Sequence, residues 1–304
     1  MHKTTLFHLS LWLLLAAMWS SSYVVIKIGV ASLEPAFLVF GRMLVGSLII
    51  FSALKIRGLS LSKDPVDWVS YAVTGLLGSA LPFLLISYGE QSVDSALTSI
   101  LMGTSPMVTL LLAAWLVPEE ALTLRTTLGV LGGLTGVAIL VGPGALSGLG
   151  VQVTGQFAIL AATASYATST VYIRKYVKRP PLEMAAGSMI VGTVTIGIYA
   201  VATGTDFSAI ELTGSSLGAV VYLGVISTAC ANLIYFYLVP KIGANRMSQV
   251  NFAVPVGGAI LSVILLGEVM TPQRFIALLV IIGSVYLGTA KGRGRVAEQT
   301  GETV

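Results

Sequence analysis

The sequence predicts an all-α membrane protein of about ten transmembrane helices arranged as two inverted five-helix repeats. Three observations carry that prediction. Of the 304 residues, 55% are hydrophobic and only 10% charged, with a mean hydropathy of +0.91. A soluble globular chain carries about 25% charged residues, so the surplus apolar side chains here must face lipid. The apolar residues also gather into about ten runs long enough to cross a ~30 Å hydrocarbon core. Finally, the second half of the chain repeats the first at an offset of 149 residues. Five spans per half is an odd number, so the second copy enters the membrane upside down.

The spans read as 9–29, 35–56, 68–88, 94–117, 126–142, 153–175, 183–203, 215–239, 246–267 and 272–290. Helices are the element expected, because lipid offers no partner to open backbone groups and a barrel would show short alternating strands. The first run follows Lys3 as a signal peptide would. It is longer than a 7–15-residue signal core and no small-x-small cleavage site follows, so it reads as a retained helix. "SLEP" (32–35) separates the first two spans, "RGLSLSKDP" (57–65) the next pair, and "GEQSVD" (89–94) the third from the fourth. Further on, "GPGALSGLG" (142–150), "KYVKRPP" (175–181) and "GTDFS" (204–208) mark breaks. The repeat places the domain boundary between 1–146 and 147–304. With a cytoplasmic N-terminus, fourteen of the seventeen Lys and Arg residues fall inside; Lys27 and Arg274 fall outside and Arg42 within a helix. That asymmetry obeys the positive-inside rule and places both termini in the cytoplasm of a cell (inner) membrane protein.

The repeat is gapless over several spans. Gly75 aligns with Gly224, Ala80 with Ala229, Tyr88 with Tyr237 and Ser99 with Ser248. Pro106 aligns with Pro255, Glu119 with Glu268 and Arg125 with Arg274, while at offset 147 Lys27 meets Arg174. Each proline removes a helix hydrogen bond and clashes with the carbonyl four residues back, at Met102 and Asn251. A kink at both prolines is expected, as packing or as a hinge. Glu119 and Glu268 fall at opposite faces of the membrane, each with an Arg six residues on. They read as interfacial ion pairs closing a turn, or as gate latches or protonatable coupling groups.

Among candidate binding residues, Arg42 lies seven positions after Pro35, so ~10 Å deep. An Arg there costs ~2.5–3.5 kcal/mol on insertion scales and is a site hypothesis, against the alternative of snorkelling. Lys27, nearer a helix end, reads as an anchor. Trp19, Tyr23, Tyr166 and Tyr235 are aromatic candidates for stacking on a ligand, or for packing. Thr98, Met102, Ser105 and Thr109 share one helix face, and Asn232, Gln249 and Asn251 add polar groups in the second half, where buried amides need partners. "GVLGGLTG" (129–136) pairs Gly129 with Gly133 and Gly132 with Gly136, a close-packing face.

Chemistry is scarce. The two histidines stand at the extreme N-terminus and the one cysteine, Cys230, lies in an apolar run. No phosphate loop, nucleophile elbow or metal spacing appears, so no cofactor, no metal and no enzymatic activity are expected. The net charge of +4 is scattered rather than clustered, which argues against nucleic acid.

The segments "AMWSSSYVVIKIG" (17–29), "EPAFLVFGRMLVG" (34–46), 105–140 and its twin "VPVGGAILSVILLGEVMTPQRFIALLVIIGSVYLG" (254–288) resemble the EamA-type branch of the drug/metabolite transporter superfamily, over nearly the whole chain. The doubled Glu119-Glu120 departs from the Gly-Glu pattern present as Gly267-Glu268. The resemblance implies a ten-helix secondary transporter that exports a small organic metabolite, amino acid or drug-like compound by alternating access. The lipid bilayer and that substrate are its expected partners, with homodimerisation left open. A phosphorylated-sugar or nucleotide-sugar exchanger would want more cavity cations than Arg42. A multi-pass lipid-modifying enzyme would want clustered Asp, His or Glu at the interface.

Overall fold

The computed structural model describes residues 2–116, 123–141, 151–205, 213–243, 247 and 249–289. They form ten helices: α1 (His2–Val30), α2 (Pro35–Ile56), α3 (Pro65–Ser92), α4 (Ser95–Leu116), α5 (Leu124–Val141), α6 (Val151–Tyr176), α7 (Pro181–Ala202), α8 (Gly214–Ile242), α9 (Val250–Leu266) and α10 (Pro272–Thr289). Seven are long and apolar enough to cross a membrane; α9 and α10 are shorter apolar helices. The remaining helix, α6, is long but carries Gln152, Gln156 and a series of Ser and Thr residues, three of them buried: Thr163, Ser165 and Ser169.

The packing displays the inverted repeat. Three of the main contacts join a helix to its own repeat mate: α2 to α7, α4 to α9 and α5 to α10. Otherwise α1, α2, α8 and α9 form one group and α3, α4, α6 and α7 another. The α5–α10 crossing uses the glycine face read from the sequence. A Cβ on Gly129 would lie 2.7 Å from the Gly288 Cα, and one on Gly132 would lie 2.3 Å from the Ser284 hydroxyl. Small residues let the two backbones meet where lipid supplies no hydrophobic drive to associate.

A second symmetric feature was not evident from the sequence. Both α3 and α8 contain a π-helical stretch, Leu76–Ala80 and Leu223–Cys230, at matching repeat positions. Pro82 follows the first closely, but the second has no such proline. What the two share is the aligned pair Gly75 and Gly224. A Cβ on Gly75 would stand 2.4 Å from the Ser188 carbonyl oxygen of α7; one on Gly224 would stand 3.0 Å from the Arg42 carbonyl oxygen of α2. Each π-turn thus begins at a backbone-to-backbone crossing, and π-turns of this kind gather at functional sites.

Three expectations change. "GEQSVD" (89–94) is not a loop from its first residue: α3 runs to Ser92 and chain direction changes only at Val93, which is extended. Gly89 looked like a turn signal but is a close-approach residue, its missing Cβ making room for the Gly155 carbonyl of α6 at 2.8 Å. At Pro106 the helix breaks rather than kinks. The first half of α4 stops at Met102, Gly103 and Thr104 form a turn, and Ser105 starts the second half with Pro106 in its first turn, where a missing N–H costs nothing. Pro255, by contrast, sits inside a continuous α9. The third change is the Glu268–Arg274 ion pair, which the end of the bundle described next replaces. Glu119, Glu120 and Arg246 lie outside the described residues.

Candidate functional site

Arg42 does not snorkel. It is buried, its Nε donates to the Thr228 hydroxyl on the π-stretch of α8 at 2.9 Å, and its guanidinium carbon stands 3.7 Å from the centroid of the Phe83 ring on α3. Tyr23 of α1 and Tyr166 of α6 are within electrostatic reach of the same cation. Five helices therefore converge on one charge. An Arg stacked on an aromatic face and bonded through Nε is held in plane. Among the described residues Nη1 and Nη2 have no hydrogen-bond partner, which leaves a flat two-pronged donor for a carboxylate or comparable oxyanion.

The other sequence candidates distribute around this group. Trp19 pairs with Tyr235 across α1 and α8, ring centroids 5.9 Å apart. Trp19, Tyr23 and Lys27 recur every four residues and share one face of α1. Asn232 donates to the Thr228 carbonyl of its own helix at 2.7 Å, so that amide proton is used locally. Thr98 is fully buried and donates to the Asp94 carbonyl at 3.0 Å, within its own first turn. Met102 packs in the core and Ser105 is half-buried at the break in α4, while Asn251 is exposed near the start of α9, apart from the Arg42 group. Phe83 and Thr228 escaped sequence reasoning because each sits in an apolar run. The repeat contained one clue, since Phe83 aligns with Asn232.

The two helix groups are tied together at one end of the bundle. Glu268 follows Gly267, whose φ of +67° ends α9 in a left-handed turn. Its carboxylate accepts from the backbone N–H of Ser95 at 2.9 Å and of Ala96 at 2.8 Å. A carboxylate at the foot of its own helix would oppose the helix dipole; aimed at the start of α4 it complements one and satisfies two free donors. Asp94, the residue placed to cap α4, makes no side-chain cap bond and pairs with Arg274 instead. This exchange is why Glu268 and Arg274 are not partners. Nearby, Lys27 donates to the carbonyls of Glu90 at 2.6 Å and Val93 at 2.9 Å, a cation at the C-terminus of α3 rather than a lipid anchor. The Ser95 hydroxyl donates to the Tyr23 carbonyl at 3.3 Å.

Deeper, the Ser99 hydroxyl reaches the Pro255 carbonyl at 3.3 Å, and the position a Gly103 Cβ would take is 2.9 Å from the Pro255 ring. The break in α4 thus bears on the proline of its repeat mate. At the opposite end, polar links among the described residues stay within one group: Arg179 of the α6–α7 turn with Asp67 of α3, Tyr71 with Glu183 at 2.6 Å, and Lys175 with the Leu116 carbonyl at 3.0 Å.

The chain matches the EamA-like transporter family twice, over residues 7–142 and 153–289. It is 27% identical over 290 residues to the uncharacterized transporter YvbV of Bacillus subtilis, covering 94% of this chain and 93% of that one. Against the uncharacterized inner membrane transporter YedA of Escherichia coli K12 it is 29% identical, covering 89% and 87%. A solved crystal structure superposes with a TM-score of 0.66 at 21% identity, covering 92% of this chain and 95% of its own, which shows a shared fold. Two family matches, ten membrane helices in inverted halves and relatives named as transporters make this chain a membrane transporter, not an enzyme, that belongs to the EamA-like transporter family of the drug/metabolite transporter superfamily.

Proposed function

We propose that this transporter exports a small organic compound bearing a carboxylate, a metabolite or an amino acid, by alternating access between two inverted halves, 1–146 and 147–304. The carrying observation is the one-sided tie between the helix groups. Bonds from Glu268, Lys27 and Ser95 cross from one group to the other at a single end, where Arg274 of α10 also holds Asp94, whereas the bonds of Arg179, Tyr71 and Lys175 at the opposite end each lie within a group. The distribution of basic residues assigns the tied end to the outside and both termini to the cytoplasm. The Gly103–Pro255 contact is the hinge, and Pro106 resets α4 below it. Arg42 receives the carboxylate, with Phe83, Tyr23 and Tyr166 around it.

Two measurements test this. A cysteine at the exposed Ser32, in the α1–α2 turn, is expected to react with an impermeant maleimide only from outside the cell; reaction only from inside would reverse the topology. In a Cys230→Ser background, a cysteine at the fully buried Ser99 reports opening of the tied end. Glu268→Gln loses the charge that favours the α4 N-terminus, and loss of 1.4 kcal/mol of latch shifts the two states about tenfold. The labelling of Ser99→Cys from outside should rise by about that factor. Unchanged labelling, with the protein still folded, would show that Glu268 does no more than hold the turn.

A further inference from the structure

Glu90 is the one charged side chain with no accessible surface among the described residues, and neither of its carboxylate oxygens has a hydrogen-bond partner. It belongs to the last turns of α3, beside the tie, with Lys27 and Tyr23 of α1 and Glu268 within electrostatic reach. Its own carbonyl holds the Lys27 ammonium at 2.6 Å, and the same ammonium is shared with the Val93 carbonyl. The cation is therefore beside the carboxyl yet committed to the backbone.

An ionised carboxylate with two orphan oxygens in a dry site is strongly disfavoured unless it is paired, and a proton removes that penalty. Opening the end of the bundle separates α1 from α3 and admits water, which solvates the carboxylate and frees Lys27 to pair with it. From this geometry we propose that Glu90 is a proton-binding site: it takes up one proton from the water at the tied end as that end closes and returns it to the same side when that end opens, so closure of this gate is linked to the binding of a proton. This rests on the alternating-access reading above and adds a proton-sensitive gate to it. Since the closed end binds the proton better, protons must in turn favour the closed end, by reciprocity.

The groups around the site are defined. From α1 come Lys27 and Tyr23, and from the α9–α10 turn comes Glu268. Arg42 of α2 and Tyr166 of α6 act on Tyr23 rather than on Glu90. Asp94, ahead of α4, is paired with Arg274, and Glu183 of α7 is bound to Tyr71 at the far end. The repeat adds a further point: the position equivalent to Glu90 in α8 is Val239, so the repeat mate carries no carboxyl at this position.

The test uses the full-length protein in proteoliposomes with Cys230→Ser and Ser99→Cys. Labelling by an impermeant maleimide from the tied side is measured between about pH 5.5 and about pH 8.5, a span reaching from the His range to the Cys range. Each rate is normalised to the exposed Ser32→Cys at the same pH. With Glu90 present, normalised labelling should rise about fivefold or more with pH, the lower bound of ordinary coupling. Glu90→Gln, a neutral copy of the protonated form, should stay at the low-pH value throughout. Retention of the full pH dependence in Glu90→Gln overturns the proposal. If that variant fails to fold, Glu90→Asp serves instead: a displaced midpoint supports the proposal and an identical midpoint overturns it. Glu268→Gln separates the two readings. If Ser99→Cys is never labelled in that variant, alternating access at this end fails; if it is labelled while Glu90→Gln keeps the pH dependence, only the proton site fails.

Discussion

Arg42→Leu should abolish transport, by two orders of magnitude or more, in a protein that still folds. Leucine is cheaper to insert than arginine by ~3–4 kcal/mol on translocon scales, so membrane integration does not suffer. The Thr228 hydroxyl loses its donor but can turn to its own helix, as Ser and Thr hydroxyls do. What disappears is the in-plane guanidinium over Phe83 and its unoccupied Nη pair. Arg42→Lys separates charge from shape. It keeps the cation but loses the Nε bond to Thr228 and the flat fork, so a loss of about tenfold, near 1.4 kcal/mol, is expected for a carboxylate substrate. Uptake into proteoliposomes from a panel of amino acids, organic acids and organic cations measures both, alongside the melting temperature in detergent. Near-normal uptake by the Leu variant would remove Arg42 from the site, and selection of cations from the panel would reverse the substrate class.

The second large effect is structural. Gly75→Ala and Gly224→Ala should each destabilise the helix bundle. At Gly75 the new methyl would stand 2.4 Å from a main-chain oxygen of α7, which no rotamer change can relieve; at Gly224 it would meet the Val45 Cβ at 2.6 Å. Overpacking of that kind costs about 1–3 kcal/mol. Because the crossings are repeat-related, the two variants should lower the melting temperature similarly and Gly75→Ala somewhat more, its obstacle being backbone. Gly218→Ala is the control. It lies in the same helix as Gly224, no atom comes within 4 Å of the added methyl, and alanine there should stabilise by ~0.4–1 kcal/mol. A Gly75→Ala protein as stable as the parent would mean that α3 and α7 are not held in contact.

The course of the chain was open to reading because lipid imposes simple demands. Apolar length marked the helices, and the gapless offset marked the inversion. Arg42 stood out for the same reason, as a charge with no business in an apolar run unless protein surrounds it. Phe83 could not stand out: in a span of Leu, Ile and Phe its ring is anonymous until Arg42 is seen beneath it. Thr228 was equally hidden, since hydroxyls in membrane helices usually bond their own backbone. Glu90 was hidden by its neighbours. Gly89 before it and "QSVD" after it look like a turn, but the helix continues past the glutamate to Ser92, and Gly89 is small because it packs on Gly155. The Glu268 tie was misjudged from spacing. Six residues suit an ion pair with Arg274, but the unfilled donors at the start of α4, some 170 residues away in the chain, suit a carboxylate better.

The receiving half of that tie is main chain. Glu268 reads two amide hydrogens, and every amino acid but one supplies them. Drift at position 96 can therefore proceed through almost any residue that fits without loosening the tie, and no compensating change at 268 would be recorded. Comparison of many relatives, however deep, would find a preserved glutamate and no correlated mate for it. Proline is the exception, so its exclusion from positions 95 and 96 is the only trace such a contact can leave in inherited sequence.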